Sequence, residues 1–527
     1  MKKTLILLHL LVCISILSLS QVNINNKDSI DKKATAPKDR NMFGQGIRRG
    51  LTISSEGLTD GYVMYSVPNS ASVYLINRKG EVVHEWKGNY GGTATVAYMM
   101  NDGSVMQNAV DPDFPVFAGG GEAGRLQKIN WNNKMLWDFE YADQEALVHH
   151  DLAVMPNGHV LAIAWEARTA DEVMAAGRKP KLTPKAGLWP DRIVEIEPLD
   201  NRHGKVVWEW HVWDHLIQDY DSKKANYGKP ADHPELLDFN VGDTLPPLIS
   251  QDSMDILRSQ GRMPWRNQTP ENMGSDIYHF NAIKYNAELD QIAFSSPHLS
   301  EIFIIDHSTA TKEAAGHKGG RWGKGGDFLY RWGNPQNYQR GDSANQKLFG
   351  QHDVRWIEKG YPGEGHLMVF NNDIHNRNKM NYSAVYEIVP PTDQKGNYIL
   401  GNDKTYGPDK LVWTYIAPDS ISFWSSFISG AHRMKNGNTF INEGARGRFF
   451  EVTKEGKIVW EYLNPYRGEI RKPNGDPNSP MFLTYSTFRS AFIPADHPGL
   501  ANRKLEPLNP QPKAFVMPSP QMAADKK

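Results

Sequence analysis

Six copies of one short segment constrain the fold of this 527-residue chain more than any other feature of its sequence. Each copy has an apolar, β-branched strand, a polar turn, and a second strand that carries a tryptophan, as in SVYLINRKGEVVHEW and FFEVTKEGKIVWEY. The tryptophans are Trp86, Trp137, Trp208, Trp332, Trp413 and Trp460. Alternation at period two and turn glycines such as Gly80 and Gly456 predict a β-hairpin in every copy.

A second type of hairpin lies between the copies, for example HHDLAVMPNGHVLAIAWE (149–166) and GAHRMKNGNTFINEG (430–444). One hairpin of each type gives four strands per repeat, and a lone hairpin is too marginal to fold without neighbours. Six such units predict an all-β fold, a six-bladed β-propeller over residues 50–500. The alternative is a pair of β-sandwiches with fortuitous tryptophan repetition.

Two intervals between tryptophans are too long for one blade, so we expect insertions at 167–190 and 211–278. The second contains DHPELLDF and ISQDSMDILRSQ, which are typical of short helices. Insertions in such folds often cover a pocket on one face. We expect no separate N-terminal domain, because only a polar leader at 21–49 precedes the first blade.

The two ends of the chain are expected to lie outside the propeller. Residues 1–20 have a Lys2-Lys3 start, an apolar run and small residues at Ser18 and Ser20, which together indicate a secretory signal peptide. They predict an exported protein, periplasmic or secreted; a retained N-terminal anchor is the alternative. Residues 501–527 form a C-terminal tail that we expect to be disordered from about Glu506.

Composition excludes several classes of partner. Lys and Arg total 59 against 60 Asp and Glu, so nothing indicates a surface for nucleic acid. After the predicted signal, no apolar stretch is long enough to cross a bilayer. Cys13, the only cysteine, lies in that signal, so a mature chain would hold no disulfide. The sequence indicates no oligomeric state.

Histidines recur at one position of the second hairpin type. His150 lies eight residues before Gly158, and His352 lies eight before Gly360. His279 in YHFNAIKYN occupies the matching place. The same alignment places Thr95 and Ser429 there in two other blades. Equivalent positions converge on a propeller axis, so we expect three imidazoles and two hydroxyls to face one central opening.

Acidic residues follow two of these histidines, and they have two possible roles. Asp151 and Asp353 can orient the imidazoles or cap the start of the strand. The histidine cluster itself fits either a metal site for zinc, copper or iron, or nucleophilic and acid–base catalysis. Spacing alone does not choose between these chemistries.

Several segments resemble the bacterial arylsulfotransferase family. They are HHDLAVMPNGHVL, HFN…AFSSPH, QHD…HLMVFNN and SGAHRMKNGNTFINEGARGRFFEVTKEGKIVWEY. The likeness extends from about Gly50 to Leu500 and implies a six-bladed propeller. It also implies transfer of a sulfuryl group from a phenolic sulfate ester to a phenol, by way of an active-site histidine. No nucleotide donor, other cofactor or metal is implied.

The resemblance assigns roles residue by residue. His352 in QHD matches the nucleophile, and His150 and His279 match the other catalytic histidines. Asn281 in HFN matches a substrate-binding asparagine. We include His149 and His298 as further substrate-binding candidates. Two aromatic residues, Trp165 and Trp356, are expected either to stack on an aryl ring or to pack in the core.

One position departs from the family pattern. Pro297 in SSPH stands where the family has an arginine, so an expected guanidinium is missing. His298, Arg446 or Arg489 are the candidates to replace it, and Arg489 in YSTFRSAF is favoured. Two other functions stay open: a metal-dependent propeller lyase or hydrolase with the three histidines as ligands, and a non-catalytic binding propeller.

Overall fold

The protein folds into six antiparallel sheets, five with four strands and one with five, arranged as the blades of a propeller. The computed structural model describes residues 47–68, 70–88, 93–111, 113, 116–242, 245, 249–259, 267–375, 380–468 and 485–515. The predicted signal peptide and most of the polar leader lie outside the described residues. The predicted six-bladed fold is confirmed and the β-sandwich alternative is wrong.

The strands are numbered along the chain. The first, β1 (Gly50–Ser54), precedes blade 1, which contains β2 (Gly61–Ser66), β3 (Ser72–Asn77) and β4 (Val82–Lys87). Blade 2 contains β5 (Thr93–Met99), β6 (Val105–Val110), β7 (Gly124–Ile129) and β8 (Met135–Glu140). Blade 3 contains β9 (Ala146–Val154), β10 (Val160–Glu166), β11 (Asp191–Pro198) and β12 (Gly204–His211).

The second half of the ring follows the same plan after a short parallel pair, β13 (Leu216–Ile217) and β14 (Leu237–Asp238). Blade 4 contains β15 (Ala282–Asn286), β16 (Gln291–Ser296), β17 (Glu301–Asp306) and β18 (Tyr330–Trp332). Blade 5 contains β19 (His352–Trp356), β20 (Leu367–Ile374), β21 (Tyr382–Ile388) and β22 (Trp413–Tyr415). Blade 6 contains β23 (Gly430–Arg433), β24 (Thr439–Glu443), β25 (Arg448–Val452) and β26 (Ile458–Leu463), and β27 (Ser490–Pro494) follows it.

Both ends of the chain close the ring. Strand β27 pairs with β2, so the C-terminal strand becomes the innermost strand of blade 1. Strand β1 pairs with β26 and adds a fifth strand to blade 6. The N-terminal strand is therefore hydrogen-bonded to the last blade, and the C-terminal strand to the first. Both pairings cover strand edges that would otherwise be exposed.

The repeated tryptophans lie on the fourth strand of each blade, and most of them link that strand to the next blade. Five of the six indole nitrogens donate a hydrogen bond to the region before the last strand of the following blade. The donor–acceptor pairs are Trp137 to His203 O, Trp208 to Thr309 Oγ1, Trp332 to Pro408 O, Trp413 to Lys454 O, and Trp460 to Arg78 O. Trp86 instead packs edge-on against Trp131 of blade 2, at 5.2 Å between centroids.

The insertions contain the helices. The first holds α1 (Ala170–Ala175) and a 3₁₀ turn at Pro180–Leu182, and the second holds α2 (Gln251–Ser259), as predicted from ISQDSMDILRSQ. The helix predicted at DHPELLDF is absent: Pro234 has no N–H to donate, and the segment forms a 3₁₀ turn (Pro230–Asp232) and β14. A third insertion, between β17 and β18, contains α3 (Thr311–Ala314). Shorter 3₁₀ turns occur at Val212–His215, Pro335–Tyr338, Gly444–Arg446 and Pro498–Leu500.

Part of the tail that we expected to be disordered is ordered. Residues up to Phe515 run along the outside of blade 1, where the N–H of Leu508 bonds to Val82 O and the Val82 N–H bonds to the Gln511 side chain. The Phe515 N–H reaches Pro465 O. These backbone bonds order a segment whose composition alone indicates disorder. Among the described residues, no helix is long and apolar enough to span a bilayer.

Candidate active site

The innermost strands are irregular at the histidine positions. The pairing of β9 with β10 changes register between His149 and Leu152, and that of β19 with β20 between His352 and Arg355. His150 and His279 have φ values of 54° and 55°. Such left-handed residues and bulges redirect side chains next to active sites. At these positions, the irregular backbone therefore directs side chains toward the axis. Regular strand pairing would place the same side chains on the sheet faces.

The structure brings His150, His279 and His352 together around one axial region. The rings of His150 and His279 are 4.3 Å apart in an edge-to-face arrangement. The Phe488 ring lies 5.7 Å from His150 and 6.1 Å from His352, so it sits beside both. His298 stacks on His279 at 4.7 Å. Four of the sequence-predicted residues thus form one cluster.

His352 is held as a neutral ring. Its Nδ1 lies 3.0 Å from Gly350 O and 2.9 Å from Asn372 Oδ1, and both atoms only accept, so Nδ1 carries the hydrogen. Its Nε2 accepts the backbone N–H of Ile428 at 3.1 Å. Burial, followed by the positive charge of Arg489, lowers the pKa of His352 to about 3. The lone pair is therefore present on Nε2 at neutral pH.

His279 is oriented by a carboxylate that sequence reasoning missed. Asp276 accepts a hydrogen bond from His279 Nδ1 with one oxygen and from Trp165 Nε1, at 3.1 Å, with the other. Burial raises the pKa of Asp276, but the charge of His279 and the hydrogen bond with it outweigh burial and leave that pKa below its ordinary value. The available signal was an acidic residue three positions before the predicted histidine.

His149 lies behind His150 and away from the opening. Its side chain is fully buried, stacks on Trp165 at 4.1 Å, and places Nδ1 2.7 Å from His150 Nδ1. Its Nε2 lies 3.0 Å from Asp191. Burial holds the pKa of both histidines well below the ordinary value and raises the pKa of Asp191 well above it. His149 therefore contacts the cluster through His150 and, by way of Trp165, through Asp276.

Asn281 and Arg489 lie at the axis, but most of their polar groups already have partners. The Asn281 amide donates to Gln351 O at 3.0 Å and accepts from Ser295. The Arg489 guanidinium donates to the carbonyls of Ser429, Phe488 and Asn281 and lies 3.3 Å from Asp353. Arg489 thus brings a buried positive charge next to the histidines while it joins several inner strands.

The structure decides between the two roles left open for Asp151 and Asp353, and it corrects the expectation for Thr95 and Ser429. Asp151 and Asp353 accept the backbone N–H groups of Ile283 and Ala431 in the next blade, both at 3.1 Å, so they cap strands rather than orient imidazoles. The hydroxyls of Thr95 and Ser429 do not face the opening. They are buried and bonded to neighbouring inner segments.

The remaining candidates have structural surroundings. Trp165 is buried between His149 and Asp276, and Trp356 packs beside the core between blades 4 and 5. Arg446 donates to Ser422 O at 2.8 Å and lies 3.4 Å from Glu443, so it braces the last blade. Pro297 occupies the turn after β16, where its carbonyl accepts from Ser300. Neither Trp356 nor Arg446 is part of the histidine cluster.

A glycine loop, which sequence reasoning also missed, lies across the cluster. A Cβ on Gly121 would overlap the His150 ring, and a Cβ on Gly120 would lie 3.7 Å from His279. The Gly121 carbonyl also accepts the His150 N–H at 2.8 Å. Only glycine lets this backbone approach the imidazoles so closely. The signal was the run Gly119-Gly120-Gly121 in FAGGGEAG.

The axial histidines do not form a compact ligand set. In the described part of the chain, only one group of three or more His, Cys, Asp or Glu side chains has ligand atoms that all lie within 4.8 Å of one another. That group is peripheral and contains none of the axial histidines. Among the described residues, the ligand atoms of the axial histidines therefore do not all lie close enough together to form such a group.

The fold and the site define a propeller with a buried axial histidine cluster. The arylsulfotransferase (ASST) family model matches residues 67–472, and the chain belongs to this family. No curated protein gives a significant match to the chain.

The solved structures that match this chain are distant in sequence. A Bacteroides caccae protein of unknown function has 11% identity and a TM-score of 0.39, over 77% of this chain and 94% of that one. Virginiamycin B lyase from Staphylococcus aureus has 9% identity and a TM-score of 0.32, over 81% and 91%. The periplasmic gluconolactonase PpgL of Pseudomonas aeruginosa has 10% identity and a TM-score of 0.35, over 76% and 94%.

Proposed function

We propose that this protein transfers a sulfuryl group from a phenolic sulfate ester to a phenolic acceptor, through a sulfohistidine on His352. The observation that carries the proposal is the state of His352: a buried neutral imidazole with its hydrogen on Nδ1 and its lone pair on Nε2. A neutral imidazole is a competent nucleophile, and covalent catalysis splits one difficult transfer into two easier ones.

In the first half-reaction, His352 Nε2 attacks sulfur, an N–S bond forms and the bond from sulfur to the phenolic oxygen breaks. The attack releases the Ile428 N–H from Nε2, and this N–H is then placed to donate to a sulfuryl oxygen. The buried charge of Arg489 stabilises negative charge that develops nearby. In the second half-reaction, the acceptor oxygen attacks sulfur and forms an O–S bond, the N–S bond breaks, and its electron pair returns His352 to the neutral form.

The protons balance through His279. As an imidazolium paired with Asp276, His279 gives its Nε2 proton to the departing phenolate. The neutral ring then takes the proton of the acceptor phenol, so one residue serves both halves. We propose that His150 and His298 hold sulfuryl oxygens beside it. His149 positions His150, and Asn281 fixes the inner strand between His279 and His352.

The test is a chromogenic aryl sulfate assayed with and without a phenol acceptor. We expect acceptor-dependent phenolate release that is lost in His352→Ala and kept in His203→Ala, whose ring lies on an exposed turn. Intact mass should show a sulfated wild-type chain when the acceptor is omitted. Activity that survives in His352→Ala contradicts the nucleophile. A folded wild type without turnover or sulfation would favour a non-catalytic binding propeller.

We also propose that the protein is exported. The support is the charge and apolar pattern of residues 1–20. Cell fractionation with intact-mass analysis tests this: the expected product is a shortened chain outside the cytoplasm, and a full-length cytoplasmic chain contradicts it.

A further inference from the structure

A second histidine cluster lies outside the axial site, where two insertions meet. His215 ends the 3₁₀ turn at the start of the second insertion, and His317 and Asp327 belong to the third insertion, between β17 and β18. The Nδ1 atoms of His215 and His317 each lie 2.8 Å from the same oxygen of Asp327. His215 and Asp327 are buried, whereas His317 is exposed to solvent.

The hydrogen-bonding pattern places two acceptor atoms against each other at the centre of this cluster. His215 Nε2 lies 2.8 Å from Ala314 O, which only accepts, so the hydrogen of a neutral His215 ring is on Nε2. Its Nδ1 lone pair then faces the Asp327 carboxylate, which is also an acceptor. A cation bound by both atoms resolves this clash. A histidine that binds metal typically donates its other N–H to a backbone carbonyl in this way.

The backbone around the cluster is built for close approach. A Cβ on Gly326 would overlap Ala314 O and crowd His215 Nε2, so only glycine fits next to Asp327. The segment GHKGGRWGKGGD (316–327) contains six glycines and, apart from turns, forms neither helix nor strand. Ordering such a chain carries a high entropic cost. A metal ion that ties it to the other insertion offsets that cost.

We infer that His215, His317 and Asp327 form a binding site for a zinc-class divalent ion. Two imidazoles and one carboxylate suit Zn²⁺, and the exposed side near His317 leaves a fourth position for water. The ion joins the second insertion to the third and binds none of the axial histidines. This inference does not depend on the proposed sulfuryl transfer.

The experiment uses the whole chain without its predicted signal peptide. The protein is stripped of metal with a chelator and then titrated with Zn²⁺ or Co²⁺. We expect one ion per chain, a higher melting temperature with Zn²⁺ by mass action, and a tetrahedral Co²⁺ visible spectrum. In His317→Gln, which alters an exposed residue and should fold, binding should weaken by more than the roughly 10- to 100-fold caused by loss of an outer-shell partner. Asp327→Asn should behave likewise.

Two matched variants separate this site from other metal binding. His233→Ala changes a partly exposed histidine in the same insertion, whose ring pairs with Glu235, and this variant should bind the ion normally. His150→Ala should also keep the ion. Binding that is unchanged in His317→Gln and Asp327→Asn overturns the inference. Loss of the ion in His150→Ala would place it at the axis instead. Absence of stoichiometric binding in the wild type also overturns the inference.

Discussion

The indole nitrogen of Trp460 donates a hydrogen bond to the carbonyl oxygen of Arg78, at 2.9 Å, although the two residues are 382 positions apart. The bond joins blade 6 to blade 1 at the rim, while β1 and β27 join the same blades at their outer and inner edges. Trp86 is equally buried, but its indole nitrogen has no partner among the described residues. The two tryptophans therefore form a matched pair.

Trp460→Phe should destabilise the protein more than Trp86→Phe. Both changes remove the same volume, but only the first leaves a carbonyl without its donor, at a cost of about 1–3 kcal/mol. Urea unfolding of both variants measures the difference. Equal losses of unfolding free energy would show that the rim bond adds no net stability.

Gly121→Ala should impair turnover by displacing His150. The added Cβ overlaps that ring, and the φ of 77° adds backbone strain. Gly158→Ala is the control: its φ is 89°, and its Cβ would meet nothing within 4 Å. Both should lose about 1 kcal/mol of stability from backbone strain, but only Gly121→Ala should lose aryl sulfate turnover. Similar rates of aryl sulfate turnover in the two variants would show that the glycine loop does not contribute to catalysis.

Asp276→Asn should lower kcat in a way that depends on the leaving group. The change removes the charge that orients and stabilises protonated His279, and general acid–base catalysis contributes about 10²–10⁴-fold. The loss should be largest for esters of weakly acidic phenols and small for a nitrophenyl ester, whose phenolate needs no proton. Measuring kcat against phenol acidity tests this. A uniform loss across the series would indicate a purely structural role.

Stability should fall in mild acid because His352 is neutral in the fold. Its pKa is about 3 when folded and 6.5 in the unfolded reference, so only the unfolded chain takes up this proton between those values. The contribution of neutral His352 to the free energy of unfolding is fully present above pH 6.5 and is lost as pH falls toward 3. At pH 5 the loss is about 2 kcal/mol.

Melting temperatures of wild type and His352→Gln between pH 7.5 and 5 test this loss. The Gln variant keeps a donor and an acceptor but cannot titrate, so its melting temperature should change less with pH. An identical pH dependence in both proteins would show that His352 does not contribute.

Some features were accessible from the residues alone. The tryptophan period and the turn glycines indicated six blades, because hairpin chemistry is local. The shared position of His150, His279 and His352 indicated a common place in the fold, because equivalent positions in structural repeats occupy equivalent places. Family membership followed from the same segments, and the α2 helix from its local pattern.

Other features are contacts between distant segments, which no local pattern specifies. Asp276 orients His279, Arg489 joins inner strands while it places its charge next to His352, and His149 contacts His150. The ordered tail depends on Val82, more than 400 residues earlier in the chain. The sequence by itself determined the repeat and the residue types at the axis. Only the tertiary structure decided which polar atoms meet, because that depends on bulges, closure and insertions that bring separate blades together.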